Sequence, residues 1–134
     1  MEIVIDTNVL ISALIKPSKT RELILSSKLI LHSPEHIINE TLNNKKEILQ
    51  KSGLDDAEFQ KLTSVLLTRI NLVPVDDFKN SIKEALKLVT HPEDSPFIAL
   101  ALSKNIALWS EDKDLKSQAI VKVYSTKEIS EKII

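Results

Sequence analysis

Ile3, Val4 and Ile5 form a β-branched run with no polar position among them. Such a run suits a strand buried on both faces, as in a parallel sheet. Polarity returns at Asp6, and Val9, Leu10 and Ala13 then recur at helical spacing. The predicted helix runs from Val9 to Ile15 and breaks before Pro17. A second helical segment covers Lys19 to Ser27 with Leu23, Ile24 and Leu25, and Leu29-Ile30-Leu31 reads as a second strand. Ser33, Pro34 and Glu35 predict a helix start, with serine as N-cap and proline at the first helical position. That helix presents Ile37, Ile38 and Leu42, with Glu40 beside its apolar face about two turns in.

Lys45 to Ser52 is a short helix ended by Gly53, the only glycine, as a left-handed terminator. Asp55 and Glu58 have capping-box spacing, ahead of a stripe of Phe59, Leu62, Leu66 and Leu67. Ile70 to Val75 is a third strand. Asp76 is the expected cap of a helix with Phe78, Ile82, Ala85, Leu86 and Val89 on one face. Phe97 to Leu102 is apolar nearly all round, so its helix is expected to be the most buried one. Ile106 to Trp109 and Val121 to Tyr124 complete five strands, and Ser125 with Glu128 opens a last capped helix carrying Ile129 and Ile133. Strands alternating with helices predict an α/β fold: a central, mostly parallel five-stranded sheet with helices on both faces. The 134 residues fit one domain, residues 1–134.

Composition narrows the chemistry. A formal net charge of −1 supplies no broad positive field, so any nucleic-acid contact has to be local. The chain has no cysteine and only three scattered histidines, which leaves a hard, oxygen-bound cation as the metal to expect. With no signal peptide or membrane-length apolar run, a cytoplasmic protein is expected.

The acids fall into place by topology. Asp6 follows the first strand, Glu40 lies on the helix after the second, Asp94 opens the helix into the fourth, and Asp112 follows the fourth. In a parallel sheet all four positions can share the rim at the carboxyl ends of the strands, where ligands bind. Alone, each has a plainer reading: Asp6, Asp94, Asp112 and Asp114 as caps or turn residues, Glu40 as a solvated helix residue. Together, without matching arginines, they repel one another, and a divalent cation removes the conflict.

Four segments carry a resemblance. Asp6-Thr7-Asn8-Val9-Leu10-Ile11-Ser12, Ile38-Asn39-Glu40, Glu93-Asp94-Ser95-Pro96-Phe97-Ile98-Ala99-Leu100-Ala101 and Trp109-Ser110-Glu111-Asp112-Lys113-Asp114-Leu115 resemble, in order, the motifs of PIN domains, the nuclease fold of VapC-type toxins. They span nearly the whole chain. Ser95 and Pro96 depart from the small residue common after the third-motif aspartate, and Glu111 adds an acid to the fourth motif. The resemblance implies a metal-dependent endoribonuclease cutting RNA to a 5′-phosphate and a 3′-hydroxyl. Asp6, Asp94 and Asp112 are the expected ligands of Mg²⁺ or Mn²⁺, with Glu40 as further ligand or general base. Asp114, Asn8 and Ser110 are supports, and Lys113 and the Lys45-Lys46 pair are candidate phosphate contacts. Trp109 is expected in the core. A protein antitoxin and a homodimer are the partners implied, the latter also from the apolar surplus of Leu23, Ile24, Leu25, Ile48 and Leu49. The alternatives are a PIN-like binding module with little turnover and a receiver-like phosphate switch. The switch would need a paired acid cluster just after the first strand, which is missing.

Overall fold

A computed structural model describes residues 1–134. Its centre is the strand β1 (Glu2–Ile5), followed by α1 (Thr7–Ile15), α2 (Lys19–Ile24), β2 (Ile30–Pro34), α3 (Ile37–Asn43), α4 (Lys45–Ser52) and α5 (Asp56–Leu67). The second half holds β3 (Ile70–Val73), α6 (Ile82–Leu88), α7 (Ser95–Lys104), β4 (Ala107–Trp109), α8 (Lys113–Lys116), β5 (Val123–Tyr124) and α9 (Thr126–Lys132). The five strands form one sheet in the order β3-β2-β1-β4-β5, every neighbouring pair parallel.

The apolar run of β1 works as its composition requires. Ile3, Val4 and Ile5 are each fully buried. Alternation sends Ile3 and Ile5 into one core, with Leu10, Leu14, Ile24, Ile37, Ile48, Phe59, Leu66 and Trp109. Val4 enters the other, with Phe97, Ile98, Leu100, Leu108 and Leu115. Thus α1 to α5 and α9 cover one face of the sheet, and α6 to α8 cover the other. The helix expected to be most buried is α7, where Ser95 and every residue from Phe97 to Ala101 are buried. No helix is long and apolar enough to cross a membrane.

The local signals act as read at both capping boxes, which close at Asp55/Glu58 and Ser125/Glu128. Gly53 ends α4 at φ +76 with open space around its absent side chain. Gly53→Ala therefore meets no clash and only the left-handed backbone penalty, an expected loss of about 1–2 kcal/mol in urea unfolding. Gly53→Asn should lose less, since Asn105 holds the same conformation at φ 54 after α7.

Other expectations are corrected. Ser33 and Pro34 do not start a helix; they extend β2, paired with Leu72 and Val73 of β3. The β1–β2 pairing ends at Val4 and His32, so proline's missing N–H costs no bond on that side. Ser33 is fully buried and its hydroxyl has no partner in the protein. The helix begins at Ile37, which puts Glu40 in its first turn rather than two turns in. Asp76 caps nothing: Val75–Asp77 and Lys79–Ser81 are 3₁₀ turns, and α6 starts only at Ile82. Leu25, Leu42 and Leu86 point outward. Leu23, Ile24 and Ile48 lie in the core, so they do not supply the apolar surplus that argued for a homodimer.

Candidate active site at the carboxyl edge of the sheet

The strand order reverses direction between β1 and β4, and the crevice outside such a switch point is where open α/β sheets bind ligands. Asp6 leaves β1 there, and Ser110 to Asp112 leave β4 beside it. The backbone N–H of Asp6 donates to the Trp109 carbonyl at 3.2 Å, which locks the two strand ends together.

Asp6 is both a cap and a site group. Its Oδ1 accepts the Val9 N–H at 2.9 Å, capping α1. The residue is only 6% exposed. Burial pushes its carboxyl up to about 6, with Asp94 and Asp112 adding to the rise and the Ser110 hydroxyl and Val9 amide opposing it. Asp94 stands at the N-cap position of α7, yet its side chain caps nothing. Its carboxyl is raised by burial first, then by Asp112, Glu93 and Glu40, while His91 works the other way. A carboxylate that is neither capping nor paired with a cation, yet faces other carboxylates, is poorly explained by stability.

Asp112 caps α8 by accepting the Asp114 N–H at 2.8 Å, and its own N–H donates to Ser110 Oγ at 3.0 Å. Glu40 is held from two sides. Thr7 donates its hydroxyl to Oε1 at 2.5 Å, and His36 Nε2 lies 3.4 Å from the same oxygen. The His36 ring is kept there by Phe97, with ring centres 5.2 Å apart.

Asp6, Glu40, Glu93, Asp94 and Asp112 line one cleft of about 370 Å³, with Asn8 and His91 and no lysine or arginine. A second hollow adjoins it through Asp6, Asn8 and Asp112, and Ser110 borders that one. All four expected acids therefore reach one cleft. Asp114 does not line it and instead faces His91, Oδ2 to Nε2 at 3.6 Å. Lys45 is engaged elsewhere, 2.8 Å from Asp56 and over the Phe59 ring. Thr7, His36, His91 and Glu93 were not anticipated. His36 four positions before Glu40, and His91 three before Asp94, were the signals available.

Apart from the His91 imidazole, the donors lining the cleft are oxygens of carboxylates, amides and the Thr7 hydroxyl, the set a hard divalent cation takes. No three acidic or histidine side chains close into a ligating cluster as they stand. Mg²⁺ keeps several of its own waters and is bound through one or two carboxylates, so acids spread along a cleft suit it better than a tight cage.

The PIN domain family model matches residues 4–133, and the chain belongs to this family. Among solved structures, the chain is similar to one from Klebsiella pneumoniae described as a toxin–antitoxin complex. The TM-score is 0.70 at 15% identity, covering 92% of this chain and 97% of that one. It is also similar to the crystal structure of a Pyrobaculum aerophilum protein, at TM-score 0.68 and 14% identity, covering 99% of this chain and 89% of that one. A sequence comparison with curated proteins gives no match.

Proposed function

We propose that this protein is a metal-dependent endoribonuclease of the PIN domain family, acting as the toxin of a toxin–antitoxin pair. One observation carries the nuclease reading: Asp6, Glu40, Asp94 and Asp112 line one cleft at the switch point with no lysine or arginine among them. PIN domains are generally nucleases, and the chain belongs to that family over nearly its whole length. The toxin part rests on the fold shared with the Klebsiella pneumoniae structure, and a protein antitoxin is the partner it proposes.

Asp6, Asp94 and Asp112 would hold Mg²⁺ or Mn²⁺. When bound, the ion neutralises phosphoryl charge and lowers the pKa of water. Glu40 takes the attacking water's proton at Oε2, because Oε1 is already engaged by Thr7 and His36. Water oxygen bonds to phosphorus, the P–O3′ bond breaks, the departing O3′ takes a proton from solvent, and the products are a 5′-phosphate and a 3′-hydroxyl. Asn8, which lines both hollows, would support the carboxylates or their waters through its amide.

A second reading is a binding module of the same fold that uses the cleft with little turnover. A cleavage assay on a mixed RNA pool separates them. Cleavage is expected with Mg²⁺ or Mn²⁺ and none in excess EDTA. Glu40→Gln should lose at least about 10²-fold, the usual contribution of a positioned base. Cleavage that persists in EDTA, or an unimpaired Glu40→Gln, would refute the proposal; RNA binding without cleavage would select the second reading.

A further inference from the structure

Glu111 is the acid that departs from the family pattern, and it does not line the acidic cleft. Its Oε1 accepts the backbone N–H of Thr126 at 2.6 Å, across the crevice at the start of α9. Thr126 is a junction. Its Oγ1 accepts the Trp109 indole N–H at 3.1 Å and lies 3.5 Å from the Thr20 hydroxyl. The capping box of α9 satisfies the Ser125 and Glu128 N–H groups and leaves the Thr126 N–H to Glu111. The bond also fixes its other end, the Ser110–Asp112 turn. That turn is otherwise held by the Ser110 N–H on the Tyr124 carbonyl, by the Asp112 N–H on Ser110 Oγ, and by Asp112 itself, which accepts the Asp114 N–H on its side chain and the Lys116 N–H on its carbonyl.

We infer that Glu111 is a positioning residue for Asp112: through Thr126 it ties the turn bearing Asp112 to α9 and to the Trp109 strand. The inference rests on the proposed function for what Asp112 does, but the tie itself exists without metal. Glu111 acts on Asp112 only through the backbone of the turn, so its removal should weaken ion binding by about 10-fold, the lower end of the loss on deleting a group bonded directly to a ligand.

Two readouts test it on the whole chain. The first is hydrogen exchange of metal-free protein. Glu111→Ala should speed exchange at the Thr126 and Asp112 amides about fivefold, as expected for one ordinary hydrogen bond. The second is Mg²⁺ or Mn²⁺ titration followed by fluorescence of Trp109, the only tryptophan. Glu111→Ala should bind the ion about 10-fold more weakly. Glu111→Gln keeps an acceptor oxygen and should stay within about threefold of wild type. Thr126→Val keeps the N–H but deletes the acceptor of the Trp109 indole N–H, so it sets the cost of losing the hydroxyl alone. Thr126→Pro also removes the N–H, at a first helical position that tolerates proline, and should exceed Thr126→Val by the effect of Glu111→Ala.

Unchanged exchange and affinity in Glu111→Ala would overturn the inference. So would equal damage from Glu111→Gln, which would make the charge itself the active feature, or equal damage from Thr126→Val and Thr126→Pro. If wild type shows no metal response while exchange still rises in Glu111→Ala, the metal reading fails and Glu111 is left with a structural role only.

Discussion

In Asp6→Asn, RNA cleavage is expected to fall at least about 100-fold while the metal-free protein becomes more stable. Loss of one group stabilising transition-state charge commonly costs that much rate. The stability gain follows from burial. Asparagine can still accept the Val9 N–H, so the cap of α1 survives. What disappears is a buried charge facing Asp94 and Asp112. The Asp6 carboxyl rises from 3.8 to about 6 on folding. Between those values the folded state holds a proton that the unfolded state has released, so stability falls as pH rises through the window. Above about pH 6 both states are ionised and the full penalty, about 3 kcal/mol, is in place. The gain in Asp6→Asn should thus be about 1–3 kcal/mol at pH 7.5 in EDTA and vanish towards pH 4. Saturating Mg²⁺ should close or reverse that gap. At a hundred times its dissociation constant it adds about 2.7 kcal/mol to wild type and little to the mutant. Urea unfolding at the two pH values, with and without Mg²⁺, reads all of this. A mutant less stable than wild type at pH 7.5 would show that the Asp6 charge is a structural asset.

Trp109→Ala should cost about 3–5 kcal/mol, the range for deleting a large buried aromatic. Trp109 is fully buried, and its indole N–H has a partner in Thr126. The side chain fills the core between the sheet and the helices on the α1 side, directly before the turn that carries Asp112. Against a typical total of about 5–15 kcal/mol, the loss removes a large share of the stability, so the variant should unfold at a much lower urea concentration. Trp109→Phe keeps most of the volume and forfeits chiefly the hydrogen bond, so a loss nearer 1–2 kcal/mol is expected. Urea unfolding followed by circular dichroism measures both. An alanine variant within 1 kcal/mol of wild type would contradict the packing assigned to β4.

The features legible in the sequence are those whose causes are local. The apolar run at Ile3 to Ile5, the capping boxes at Asp55 and Ser125, the left-handed Gly53 and the apolar α7 each depend on residues a few positions apart. Asp6, Asp94 and Asp112 were legible as well, because each sits at the end of a recognisable strand or at the start of a helix; Glu40 was legible only through its motif, since its helix begins later than its local signals suggest. Contacts between elements were decided by tertiary structure. Ser33-Pro34 has the local form of a helix start, but pairing with Leu72 and Val73 draws it into β2. Asp94 has the local form of a cap, yet its carboxylate is left to face Asp112 and Glu40. His36 comes to Glu40 within one helix turn but is held there by Phe97, which lies far along the chain. Glu111 is one residue from Asp112 and turns away to Thr126. Periodicity states which residues share a face of one element. Sheet register and crossovers determine which faces meet, and so select the acids that share a cleft.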